Sequence, residues 1–378
     1  MLFLALFALL ILSQVVFSYS LFNTDSPTAN TIALVQLILF LGSTASLFVL
    51  FRNRGSDNYK LAFSVFGLMI TTGIPVVFFF IPGTFFLLTA NTLYLWLASM
   101  LSASVLIAFV VGIIYGRWNW KIHRIRLKFH NFPESANGVK IVQISDVHIG
   151  SFFGNHKKVL KAVNLINSLE PDYVVFTGDL VNNKAEEMEG WDVIFEQIRA
   201  KKGKYSILGN HDYGDYVQWE NKPEKQANLQ ELIRYHERSG FTPLLNDARE
   251  LQEGFWLLGV ENWGRPPFRQ SGKLHETLDK VPENSFKLLL SHDPTHFDLE
   301  IRDTDIDLTL SGHTHGMQFG IERFGIRWSP VKYYYKRWAG LYQEGNQFLY
   351  VNRGFGYLGF PGRVGIYPEI TLFELEKA

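Results

Sequence analysis

Eight side chains able to bind metal ions or move protons recur in one kind of place along this chain. They are Asp146 and His148, Asp179, Asn210 and His211, His292, and His313 and His315. Two carboxylates, one amide oxygen and five imidazoles are hard or borderline ligands, a set suited to a pair of divalent transition ions. The chain has no cysteine, which removes thiolate ligands, cysteine nucleophiles and disulfides. Taken singly, the pieces are weak, since Asp-x-His and Gly-Asp are also common turn and cap chemistry. His313-Thr314-His315 is stronger, because two imidazoles on one loop can face one ion cluster. Together the pieces read as a metal site.

The elements that must position these residues follow from their flanks. Apolar, β-branched runs at 139–144, 172–176 and 204–208 read as buried strands, and each ends where one of the polar groups begins. Open α/β sheets build their sites at such strand ends. Helical spacing appears over 156–169 and 186–200, and further strands are expected at 255–260, 286–290, 307–310, 348–351 and 370–375. Gly178, Gly209, Gly312 and Gly316 stand beside the polar residues and permit the turns that aim them inward. Strands alternating with helices, then a strand-rich end, predict an α/β domain of two packed sheets flanked by helices.

The set Asp146-Val147-His148, Gly178-Asp179, Gly209-Asn210-His211-Asp212, Ser291-His292 and Gly312-His313-Thr314-His315 resembles the calcineurin-like metallophosphoesterase superfamily, over about residues 138–378. The segments Gln143–Asp146, Leu310–Gly316 and Tyr367–Ile370 resemble its bacterial membrane-attached subgroup, some of whose members hydrolyse UDP-diacylglucosamine. The resemblance implies that Asp146, His148 and His315 bind a first metal, that Asn210, His292 and His313 bind a second, and that Asp179 bridges them. It gives His211 the role of acid for the leaving group, with a metal-bridging hydroxide as nucleophile. Manganese is the expected ion by resemblance, although iron and zinc suit the same ligands. Two departures stand out. Met317 occupies a position that is often glycine in the subgroup. Asn182 stands where phosphoprotein phosphatases carry an Asp supporting the catalytic histidine, so that support must come from elsewhere.

The rest of the chain lives in a different solvent. Residues 1–24, 26–51 and 61–116 carry no charged side chain, and about 20 apolar residues suffice to cross a bilayer core. Four transmembrane helices are expected, at 1–17, 31–51, 61–81 and 92–115, with the break between the last two at Ile81-Pro82-Gly83. A cleaved signal peptide is the alternative reading of the first. Arg52, Arg54 and Lys60 lie between the second and third spans, and Arg117, Lys121, Arg124, Arg126 and Lys128 follow the fourth. The positive-inside rule then puts the C-terminal part on the cytoplasmic side, with Trp118 and Trp120 as interfacial aromatics, and the resemblance implies that the membrane is a bacterial inner membrane.

The expected organisation is a four-helix anchor (1–116), a basic juxtamembrane linker (117–137) and the metallophosphoesterase domain (138–378). The zero net charge of the whole chain hides 28 basic against 34 acidic residues in 133–378, so no basic excess points to nucleic acid. An aromatic and basic stretch over 324–363 reads either as core strands with solvated charged faces or as a surface against membrane lipids, and the membrane tether favours an amphiphilic phosphate substrate, a lipid-linked phosphodiester or pyrophosphate. A soluble nucleotide substrate and a non-catalytic scaffold are the alternatives. Oligomeric state is not legible from the sequence.

Overall fold

In a computed structural model, which describes residues 2–52 and 59–378, the uncharged N-terminal sequence is helical. The helices are α1 (Leu2–Phe22), α2 (Pro27–Arg52), α3 (Tyr59–Thr89) and α4 (Thr92–Ile114). The segments Pro27–Leu50, Tyr59–Thr89 and Thr92–Trp118 are each long and apolar enough to cross a membrane, whereas the apolar stretch Leu6–Phe22 is shorter. Residues 53–58, with Arg54, lie outside the described residues.

The expected break at Pro82 is absent. Helix α3 runs on through Pro75 and Pro82, and the turn falls at Ala90, with φ +54°, and Asn91, whose side chain caps α4 by accepting from Leu93 N–H at 3.0 Å. Proline removes one helical donor, but packed membrane helices tolerate that loss. Inside this unit Phe17 meets Phe79 edge-on at 4.9 Å, and Gln36 donates to the Thr72 carbonyl at 2.8 Å. Residues 359–364 also belong to this unit: the Arg363 amide donates to the Gly112 carbonyl at 3.1 Å.

The second unit, 117–358 with 365–378, carries the strands. They are β1 (Lys121–Phe129), β2 (Val139–Ile144), β3 (Tyr173–Thr177), β4 (Gly203–Ile207), β5 (Thr242–Pro243), β6 (Asp247–Gln252) and β7 (Phe255–Gly259), then β8 (Phe286–Leu290), β9 (Leu308–Ser311), β10 (Ile321–Arg323), β11 (Ile326–Trp328), β12 (Gly340–Glu344), β13 (Gln347–Val351) and β14 (Glu369–Lys377). One six-stranded sheet has the order β1-β14-β2-β3-β4-β5, the other β12-β13-β9-β8-β7-β6, and β10-β11 is a separate hairpin.

Period-two alternation explains the layering. Ile141, Val175, Leu288, Leu290, Leu308, Leu310, Tyr350 and Phe373 point into the core between the sheets. Their neighbours Val142, Val174, Phe176 and Leu372 point outward, onto Val159, Val163 and Ile166 of helix α5 (His156–Asn167). Leu289, Leu349 and Val351 pack on Phe297 and Ile301 on the far side of the other sheet.

Three further expectations need correction. The basic segment expected as a linker is strand β1, paired in parallel with β14, where Arg126 meets Glu374 at 2.9 Å and Lys128 meets Glu376 at 3.3 Å. Trp120 is buried and donates to the Phe355 carbonyl at 3.0 Å, so its amphipathic ring serves the domain core and not an interface. The helix expected over 186–200 is reduced to a turn at Ala185–Met188 and the single-turn α6 (Asp192–Phe195), interrupted at Gly190 with φ +75°. Helix α7 (Lys222–Arg238), entered through the Asn221 cap, was not anticipated.

Candidate metal centre

All eight candidate residues converge on one end of the sheets. Asp146 and His148 follow β2, Asp179 follows β3, Asn210 and His211 follow β4, His292 follows β8, and His313 and His315 follow β9. Asp146, His148, Asp179, His313 and His315 all adopt left-handed backbone, with φ between +47° and +72°, a conformation costing about 1–3 kcal/mol per non-glycine residue and typical of functional sites. Gly312 allows the closest approach: a Cβ there would lie 1.9 Å from Ser145 Oγ and 2.3 Å from Asp146 Oδ2.

The ligand atoms form two groups, Asp146-His148-His315 and Asp179-His292-His313, and in each they lie within 4.8 Å of one another. In the first, His148 Nε2 faces His315 Nε2 at 3.0 Å, and His315 Nε2 lies 3.3 Å from Asp146 Oδ1. In the second, Asn210 Oδ1 is 2.8 Å from His313 Nδ1 and 3.2 Å from His292 Nε2. Asp179 Oδ2 stands between the groups, 3.6 Å from His148 Nε2 and 3.2 Å from His292 Nε2. Four imidazoles and three side-chain oxygens thus converge, the donor set that divalent cations of intermediate softness satisfy. His292 is oriented for such a role, since its Nδ1 donates to the Thr177 carbonyl at 2.7 Å and turns Nε2 toward Asp179 and Asn210.

Burial and charge shape the protonation of the site. Burial pushes His148 down to about 3 and Asp146 up to about 7. Burial also opposes ionisation of Asp179 and His292, but their mutual attraction together with the other charges and hydrogen bonds around them outweighs it. Asp179 is held below the carboxylate range and His292 is raised to about 10.

His211 lies at the edge of the groups. Its ring is edge-on to His148 at 4.9 Å and stacks on Tyr216 at 4.4 Å. Its amide donates to Asp179 Oδ1 at 2.8 Å, and Nδ1 lies 2.6 Å from the Asn182 carbonyl. The support that an Asp at position 182 would supply is therefore given by the main chain of that same residue. Met317 takes φ +56° with its side chain 43% exposed, a backbone that explains why glycine suits this position.

Sequence reasoning assigned no role to several neighbours. Asp212 accepts from the amides of Asp179, Leu180 and Gly209 at 2.9, 2.8 and 2.8 Å, tying the loop after β3 to the loop after β4. Tyr216 Oη pairs with Asn210 Nδ2 at 2.7 Å, and Tyr335 Oη with His313 Nε2 at 2.8 Å. Asp293 Oδ2 is 3.7 Å from His313 Nε2. The positions of Asp212 after His211 and of Asp293 after His292, inside the two motifs, were the available signal. The aromatic and basic stretch divides: Arg337, Trp338, Arg353, Phe355 and Tyr357 are buried, whereas Phe324 is 96% exposed and Ile326, Tyr333 and Tyr334 are exposed.

The calcineurin-like phosphoesterase family model matches residues 139–317, the segment that contains all eight residues. The metallophosphoesterase YkuE of Bacillus subtilis is 34% identical over 260 residues, 66% of this chain and 84% of that protein. A bovine transmembrane protein with a metallophosphoesterase domain is 31% identical over 277 residues, which cover 71% of this chain and 60% of the relative. A second Bacillus subtilis metallophosphoesterase, YkoQ, is 25% identical over 268 residues, 68% of this chain and 90% of that protein. The chain belongs to the calcineurin-like metallophosphoesterase family, and its chemistry is metal-dependent phosphoester hydrolysis. Its apolar helices and the transmembrane relative make it a membrane protein.

Proposed function

We propose that this protein is a phosphohydrolase using two divalent ions, manganese first among them, on a lipid-linked phosphodiester or pyrophosphate such as UDP-diacylglucosamine. The observation that carries the dinuclear reading is the position of Asp179 Oδ2, within 3.6 Å of a histidine from each ligand group. Asp146, His148 and His315 would hold one ion and Asn210, His292 and His313 the other, with Asp179 shared. Two ions held by these residues would supply a water nucleophile of lowered pKa and would neutralise charge on the phosphoryl oxygens. The protein's own contribution is to fix and protonate. The Asn182 carbonyl accepts a hydrogen bond from His211 Nδ1–H, which orients the ring so that, in the imidazolium form, its Nε2–H is given to the departing oxygen and the neutral ring remains, typically a 10²–10⁴-fold contribution.

The lipid-linked substrate is supported by the hairpin β10–β11, which follows the His315 loop and exposes Ile321, Phe324, Ile326 and Trp328. Exposed apolar side chains beside Arg323 suit an interface with acyl chains and anionic headgroups. The cytoplasmic side of a bacterial inner membrane is supported by the basic residues flanking the spans.

His211→Ala tests the chemistry. With Mn²⁺ present and bis-p-nitrophenyl phosphate as substrate, the variant should keep its metal and lose most turnover. Wild-type rate, or loss of metal, overturns the role. Faster hydrolysis of UDP-diacylglucosamine in detergent than of its deacylated form is the expected result for the substrate. Equal rates count against it.

A further inference from the structure

A cleft of about 560 Å³ opens beside the metal centre, lined by Arg265, Arg302, Lys332, Lys336 and Arg337, by Tyr333, Tyr334 and Tyr335, and by one carboxylate, Asp298. Five cations against one acid is an imbalance set within a stretch of chain that is acidic overall, so it is a local field and not a general surface charge. The charges are not equivalent. Arg337 is buried and already spoken for, donating to Asp298 at 3.1 Å and to Glu344 at 2.6 Å. Arg302 lies 3.8 Å from the same Asp298. Arg265, Lys332 and Lys336 are exposed and, among the described residues, have no carboxylate within 4.0 Å. Asp298, the one acid present, is therefore engaged by arginine and offers the others little compensation.

The cleft joins the metal centre through Tyr335, which lines it and reaches His313 Nε2 through its hydroxyl. Its volume lies in the range of small-molecule sites and far exceeds what one phosphate on the metals needs. Tyrosine hydroxyls and unpaired ammonium and guanidinium groups are the donors that bind phosphate oxygens.

We propose that this cleft is a second anion subsite of the same active site, holding a further phosphate group of the substrate beside the scissile one. It rests on the phosphoesterase reading of the metal centre and narrows it to substrates with two phosphates. Orthophosphate monoesters and simple diesters leave the cleft unfilled.

The test uses the full chain in detergent with Mn²⁺ and two chromogenic esters that differ by one phosphate. These are thymidine 5′-(p-nitrophenyl phosphate) and its 3′-phosphorylated counterpart. The second phosphate should lower KM about tenfold, the worth of one well-formed charge-assisted contact pair. In Lys332→Gln/Lys336→Gln, both exposed positions, that ratio should fall towards one. A parallel pair, phosphatidic acid and diacylglycerol pyrophosphate in micelles, is measured as competitors. An advantage confined to the thymidine pair identifies a soluble source for the second phosphate, and one confined to the lipid pair identifies a headgroup. Either supports the subsite. No advantage in either pair, or an advantage that persists in the double variant, overturns it.

Absence of p-nitrophenol from both esters would refute the hydrolase reading separately. Calorimetry then decides the subsite, with thymidine 3′,5′-bisphosphate expected to bind about tenfold more tightly than thymidine 5′-phosphate in the wild type only. Equal affinities overturn it.

Discussion

Asp212 touches no candidate ligand atom, yet the geometry makes it the side chain on which the site's architecture depends most. Its carboxylate accepts the amides of Asp179, Leu180 and Gly209 at 2.8–2.9 Å and that of Val181 at 3.3 Å, and it is fully buried. Burial and the neighbouring Asp179 charge push its carboxyl up to about 7, against the pull of those amides. Asp212→Ala leaves four buried donors without an acceptor, each costing ~1–3 kcal/mol. Partial relaxation brings the sum to about 3–5 kcal/mol, since the 3.3 Å bond is weak and loops adjust more readily than cores. For a domain of this size, ~2–4 °C of Tm accompanies each kcal/mol, so a drop of roughly 6–20 °C is expected. Asp212→Asn keeps one acceptor oxygen and should fall between the two. Thermal unfolding in detergent, followed by tryptophan fluorescence, gives the shift, and elemental analysis gives the metal retained. The alanine variant should lose metal as well as stability, because Asp179 is fixed through its own amide. A wild-type Tm in Asp212→Ala would refute the reasoning.

Two further substitutions probe separate parts of the structure. Gly312→Ala places a Cβ against Ser145 Oγ and Asp146 Oδ2. Overpacking of this kind costs ~1–3 kcal/mol, and elemental analysis should show the ion of the Asp146-His148-His315 group weakened first; two ions retained at wild-type affinity would count against the placement. Glu369 is buried and meets Arg353 at 2.6 Å and Tyr350 Oη at 2.6 Å. Burial opposes its ionisation, but the Arg353 charge together with hydrogen bonds from Thr371 and Tyr350 outweighs burial and lowers it to about 2. Because the folded value lies below the ordinary ~4.3, its stabilisation is complete above that value and is lost as pH falls through about 2. Glu369→Gln should cost about 3 kcal/mol at neutral pH and less near pH 3, as read from denaturant midpoints; an equal cost at both pH values contradicts the ion-pair account.

Most of the positioning frame was legible because strands buried on both faces read as short apolar runs that end abruptly in polar residues. Val139–Ile144, Tyr173–Thr177 and Phe286–Leu290 have this form. Strand β1 was not legible, since its exposed and half-exposed residues alternate Lys, Arg and His with apolar groups, a pattern shared with a basic linker. Its partner β14 lies more than 200 residues away, and only the fold reveals that Glu374 and Glu376 face Arg126 and Lys128. The turn at Ala90 escaped notice for the opposite reason. Pro82-Gly83 is the stronger local breaker, but packing around Phe79 and Val76 overrides it. At the site, ligand types were visible in the motifs, whereas Tyr216, Tyr335 and the cationic cleft are joined to them only by folding.

The central claim is that Asp179 joins two ion sites into one. It is tested most directly by metal content and electron paramagnetic resonance of the Mn²⁺-loaded protein. Two ions per chain, coupled to one another through a shared carboxylate, are expected, with loss of that coupling in Asp179→Ala. One ion per chain in the wild type, or two ions with undiminished coupling in Asp179→Ala, would contradict it.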